Sequence, residues 1–237
     1  MKMLVGAGNA RRGLAHVALL AGVLTGCAGA EEDGTRASAS TSAKATATAD
    51  GSAAGAEVAE RGGTIGASGS ACELPVTFDI AKEWKAEAVD AGAASDKASS
   101  DGTDDLGSEV ADALLHQGPV TAACEVDAKP AGHIGFLRVW TGKPGDDDAR
   151  TVLEAFVAAE GSTSKAKYQD FKAGGLKGVE VQYLYTSELL DETKPERALA
   201  VTTARGPVVV HLGGLDTGEH RAMLPAYELA KRTLRTA

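Results

Sequence analysis

The chain has 237 residues, with 33 acids against 24 bases and a formal net charge of −9; aromatics make up 4% and Ala occurs 45 times. This length allows one or two ordinary domains. The acidity excludes a nucleic-acid binder that works by neutralising phosphates with basic clusters, and outside the N-terminus no run of about eighteen uncharged apolar residues offers a membrane span.

The first residues read as an export address. Lys2, Arg11 and Arg12 precede an apolar run from Leu14 to Leu24, and a basic flank before a short apolar core is the layout of a secretory signal. The run ends in Leu24-Thr25-Gly26-Cys27, which resembles the lipobox of bacterial lipoproteins. The resemblance implies that residues 1–26 are removed and that the Cys27 thiol carries a diacylglyceryl group, with palmitate-type chains as the membrane anchor. Two or more acyl chains hold a protein on a bilayer stably, where one does so only marginally. Arg11-Arg12 before Gly13-Leu14 also resembles a twin-arginine signal, so the general and the twin-arginine export routes both stay open. The expected location is the outer face of the cell membrane.

Residues 27–70 read as a tether. Of the 43 residues from 28 to 70, 32 are Ala, Gly, Ser or Thr, and the larger aliphatics are Val58 and Ile65. Such a segment cannot bury enough apolar surface to offset the entropy of ordering it. From about residue 71 the composition turns globular, giving one domain over 71–237. It holds the two remaining cysteines, Cys72 and Cys124. In an exported protein whose Cys27 is lipidated, this even pair reads as a disulfide, the alternative being two buried thiols.

In chain order, Val76–Ile80 alternates and reads as a strand, with a weaker strand at Trp84–Val89 pairing with it. A polar loop follows. Asp104 or Asp105 then caps a helix with Leu106, Val110, Ala113 and Leu114 inward, stopped by Gly118-Pro119. Strands at about 120–127 and 133–141 flank a turn at Lys129–Gly132. The run Asp146-Asp147-Asp148 caps a second helix with Ala149, Val152, Leu153, Phe156 and Val157 at helical spacing, ended by Gly161. Three strands come next, Gly178–Tyr185, Arg197–Ala204 and Pro207–Leu212, the last two joined at Arg205-Gly206. A C-terminal helix from Thr217 or Met223 turns Met223, Tyr227, Ala230 and Leu234 inward, with Pro225 kinking it or in its first turn.

This order predicts an α+β fold, a mostly antiparallel sheet covered by about three amphipathic helices. Phe78-Asp79-Ile80 leading into Trp84, a middle helix, a late strand pair and a C-terminal helix resemble the PsbP-like fold, which includes actinobacterial lipoproteins of the LpqN type. Members usually open with a Pro-x-x-Trp turn, where this chain has Ala81-Lys82-Glu83-Trp84. The resemblance implies a protein-binding or accessory role and carries no catalytic residues.

Signals of chemistry are few. There is no Gly-x-Ser-x-Gly elbow, Walker loop or His-Glu-x-x-His. The four histidines after Cys27 read as a helix end (His116), an outer sheet face (His211) and two loops (His133, His220), short of a converging metal set. The three consecutive Asp residues suit a helix cap better than a calcium loop. No cofactor, metal or catalytic residue is therefore expected. Tyr183 and Tyr185 continue the face of Val179 and Val181 and are the candidates to face a ligand, unless they simply pack on the sheet. Gly174-Gly175 and Gly213-Gly214 read as turns. The expected function is a lipid-anchored, non-catalytic binding domain whose partners are the bilayer and an envelope protein. The alternative is a carrier for a lipid or small envelope ligand, held between sheet and helix. An enzyme would require a convergent, buried carboxylate–histidine cluster.

Overall fold

The computed structural model describes residues 57–90 and 114–237. Alternate burial along the chain builds the strands. β1 (Arg61–Ile65) and β2 (Val76–Ala81) come first, then β3 (Lys85–Ala88), β4 (His116–Gln117), β5 (Val120–Asp127) and β6 (Gly135–Thr141). After a helix come β7 (Thr163–Ala173), β8 (Leu176–Ser187), β9 (Glu192–Thr203) and β10 (Gly206–Gly214), and β11 (Arg235–Thr236) follows a second helix. Strands pair in the order β3-β5-β6-β10-β9-β8-β7, with β4 on β5, while β1-β2-β11 form a separate ribbon.

The helices cover opposite faces of the large sheet. α1 (Ala149–Glu160) starts where the Asp148 carboxylate accepts the Thr151 N–H at 2.8 Å. It buries Val152, Leu153, Phe156 and Val157 against Trp140, Val179, Val181, Ala198, Ala200 and Val209. α2 (Thr217–Thr233) starts at Asp216, which accepts the Glu219 N–H, and continues through Pro225. Its Met223, Tyr227 and Ala230, together with Val76 and Phe78 of the ribbon, pack on Leu199, Val201, Val208, Val210 and Leu212. Adjacent residues of β9 and β10 thus feed opposite cores, because side chains alternate across a strand.

A shift of register between Ala122 and Cys124 links β5 to both cores. Val120 and Ala122 belong to the α1 side, Cys124 and Val126 to the α2 side. An extra residue in one strand reverses the phase of the residues beyond it. Cys124 is thereby turned toward Cys72, and the two are disulfide-bonded with Cα atoms 5.9 Å apart, as expected.

Several expectations need correction. The ordered domain starts before residue 71: β1 lies in the expected tether and pairs with β2. Its hold is mostly polar and non-local, with Arg61 on Asp79 at 2.8 Å and the Ala59 N–H on the Pro225 carbonyl. Only Ile65 of this strand is buried. β3 pairs with β5, not with β2; Glu83, at φ 68°, turns the chain between them. β7 is an additional strand, unread because its side chains are mostly exposed and polar. Lysines along such an edge discourage further strand pairing. Gly174-Gly175 is a turn, with both φ values positive, but Gly213-Gly214 lies inside buried β10.

Two complete α-helices are present among the described residues, besides a 3-10 turn at Lys129–Ala131, against about three amphipathic helices expected. The helix expected from Asp104 or Asp105 falls outside them except for Leu114–Leu115, where Leu115 is buried and Leu114, expected inward, is 60% exposed. Cys27, its lipobox and the leader also lie outside the described residues. No helix among the described residues is long and apolar enough to cross a membrane.

Candidate functional site

Four ionisable side chains expected in no common site converge on the α1 face of the large sheet. β8 and β9 pair Tyr183 opposite Glu196 and Tyr185 opposite Lys194. β10 brings His211 to the same face, beside Ala198 of β9. Glu160 is the last residue of α1. The phase can be counted: Val181, Ala198 and Val209 face α1, so Tyr183, Glu196 and His211, each two residues away, face it too.

The Tyr183 hydroxyl donates to Glu160 Oε2 at 2.5 Å and lies 3.3 Å from His211 Nε2. His211 Nε2 is 3.1 Å from Glu196 Oε2, and Lys194 Nζ is 2.9 Å from Glu196 Oε1. Lys194 also donates to the Gly214 carbonyl. The imidazole is held by Phe156, edge-on at 5.6 Å between centroids, and by Tyr183, stacked at 6.5 Å.

Burial and charge set the protonation of these groups in opposite directions. Burial raises the Glu160 carboxyl above its usual range, more than His211 and Tyr183 lower it. Burial also pushes the Tyr183 phenol well up, with Glu160 adding to it. For Glu196 burial acts upward, but the hydrogen bond and charge of His211, with Lys194, outweigh it and keep the carboxylate ionised. For His211 burial acts downward, and Glu196 more than reverses it. Glu160 thus holds its proton more tightly than usual, while Glu196 and His211 each favour their charged forms through one another. One ligand atom each from Glu160, Glu196 and His211 lie within 4.8 Å of one another.

The cluster forms the floor of an open groove of about 750 Å³. Phe136, Trp140 and Tyr185 line it, together with Arg138, Lys129 and Lys194. The Arg138 guanidinium lies 4.5 Å from the Phe136 ring centroid and pairs with Glu125. Ile134, Leu190 and Leu215 also line the groove and are 52–62% exposed. Leu215 is tied to Ile134 by a backbone hydrogen bond of 3.0 Å, and Leu189, beside Leu190, is 93% exposed.

Of the expected ligand-facing residues, Tyr185 lines the groove, while Tyr183 is buried with its hydroxyl on Glu160. The histidine expectations are revised. His211 is not on an outer face, because both faces of the sheet are covered, and His220 is a buried residue of α2 rather than a loop residue. His116 lies in β4, whereas His133 is in a loop and faces Glu219 at 3.3 Å. Of the three Asp residues, Asp148 is the cap. The cavity sits at the end of α1, not between sheet and helix, since those spaces are filled by the two apolar cores.

The sequence matches the Lipoprotein_23 family, described as "Uncharacterised lipoprotein", over residues 41–234. A search of curated proteins finds no match. Among solved structures, the solution structure of cyanobacterial PsbP (CyanoP) from Synechocystis sp. PCC 6803 aligns at 12% identity with a TM-score of 0.46, covering 79% of this chain and 98% of that one.

Proposed function

The chain belongs to the Lipoprotein_23 family of lipoproteins, and on that premise we propose that it is a lipid-anchored, non-catalytic binding domain on the outer face of the membrane. Its groove docks an apolar segment of an envelope protein. The observation that carries this reading is where four of the five large exposed aliphatics of the described residues lie: Ile134, Leu190 and Leu215 share one groove, and Leu189 adjoins it. Contiguous exposed apolar surface with a polar rim is the usual mark of an interaction site. Three aromatic walls supply rigid contact area, and Arg138 and Lys129 offer charge to an acidic flank of the partner.

The test is site-specific photo-cross-linking in intact cells, with a photoreactive residue at position 190 of the full-length, anchored chain. One discrete adduct, lost when Ile134→Asp is added and absent when the probe sits at exposed Arg221, is the expected result. Indiscriminate adducts from both positions would overturn docking at the groove. The carrier reading is favoured by the groove volume, which is in the range of small-molecule sites; native mass spectrometry showing a non-covalent small adduct would replace the first reading with it. The anchor is tested separately, because Cys27→Ala should move the protein from the membrane pellet to the soluble fraction.

A further inference from the structure

We propose that Glu160, Glu196 and His211 form a binding site for a divalent transition-metal ion, Zn²⁺ in the first place. The site is independent of what occupies the groove above it. Three ligand atoms from three separate elements already lie within 4.8 Å of one another. Zn–N and Zn–O bonds of about 2.0–2.2 Å place tetrahedral ligand atoms about 3.4 Å apart. The His211 Nε2–Glu196 Oε2 separation of 3.1 Å is close to that spacing.

Each ligand is held before any ion arrives. The imidazole is clamped between Phe156 and Tyr183. Lys194 orients Glu196 through its other oxygen, and the Tyr183 hydroxyl does the same for Glu160. Outer-shell partners of this kind set ligand orientation and basicity. Here they leave one Glu196 oxygen, one Glu160 oxygen and one imidazole nitrogen for the ion. The open side faces the groove, where water completes the coordination.

Charge points the same way. Two carboxylates brought together out of water need positive charge between them. When the ion binds, the Nε2 lone pair becomes the metal bond, any proton on Nε2 is released to solvent, and the dication supplies positive charge between the two carboxylates. One imidazole with two carboxylates and no thiolate suits Zn²⁺ or Mn²⁺ better than Cu⁺, Mg²⁺ or Ca²⁺, and the general affinity order places Zn²⁺ above Mn²⁺.

The test uses the full-length chain purified in detergent, with ZnCl₂ titrated against a chromophoric chelator and MgCl₂ as the control. One Zn²⁺ per chain is expected, unaffected by millimolar Mg²⁺. His211→Gln should abolish saturable binding, Tyr183→Phe should weaken it about tenfold, and His220→Gln should bind like wild type. X-ray absorption of the Zn-loaded wild-type chain needs no variant to fold. One imidazole with oxygen ligands and no sulfur is the expected signature. Absence of saturable Zn²⁺ binding, retention of full affinity in a folded His211→Gln chain, or a first shell with two or more imidazoles or any sulfur would overturn the proposal.

Discussion

The two faces of the large sheet each bury a cluster of charges, and the clusters are built on opposite principles. On the α2 face, Glu180 and Glu228 meet Arg197 and Lys231 in four ion pairs of 3.0–3.6 Å. Two acids face two basic side chains, and the quartet ties α2 to β8 and β9. On the α1 face, the second cation is an imidazole, one acid is bound by a phenol, and the cluster opens into a groove. Buried charge is costly unless paired. Pairing by Arg197 and Lys231 produces a brace, whereas pairing through His211 leaves the cluster at which we propose that a metal binds. The α2 face also carries the disulfide and the ribbon, which makes it the mechanical side of the domain.

That division is open to attack in order of expected effect. Cys72→Ser with Cys124→Ser opens a loop with a sequence separation of 52. It should lower unfolding free energy by about 4 kcal/mol in the chain-entropy model, measured by urea denaturation. Arg197→Leu should cost about 3 kcal/mol, at the low end for breaking a buried pair, because Lys231 still reaches both acids. His211→Gln measured alongside should cost clearly less; equal losses would erase the distinction between brace and site.

The third effect is a pH dependence. His220 is buried, its Nδ1 has no hydrogen-bond partner, and burial is the main cause that lowers its pKa to about 4. Glu196 opposes that shift, while Arg197, His211 and Lys194 support it. The folded state therefore takes up this proton less readily than the unfolded state. Stability from this residue is complete above about pH 6.5 and falls as pH drops toward 4. By pH 5 the loss is about 2 kcal/mol, read as the difference between wild-type and His220→Gln denaturation curves. The smallest effect is local to the α1 face. Asp148→Ala removes the α1 cap and should cost about 1 kcal/mol, with no change at the α2 quartet by double-mutant cycle with Arg197→Leu.

Both helices of the described domain were legible in the sequence because their signals are local. Asp148, the apolar spacing from Ala149 to Val157 and Gly161 all sit within one short window. The hairpin strands were legible for the same reason, through alternation and turn residues. β1 was hidden because an Ala/Gly/Ser-rich segment becomes a strand only when β2 offers its backbone, and β7 was hidden because an exposed edge shows no apolar alternation. Of the candidate site, Tyr183 and Tyr185 were placed on the correct face, but the charged partners were not. Lys194 and Glu196 occupy inward positions of β9, and charges at core phase are the signal that could have found them.

The acidic character, the α+β class and the pairing of two cysteines were readable from the chain alone, since each depends on composition, short-range patterning or residue counting. That Glu160, Tyr183, Glu196 and His211 share one site is a product of the packed fold. Their meeting depends on the register of three strands and on where α1 ends above them, and such alignments are fixed by the packing of both cores at once rather than by any local stretch of chain.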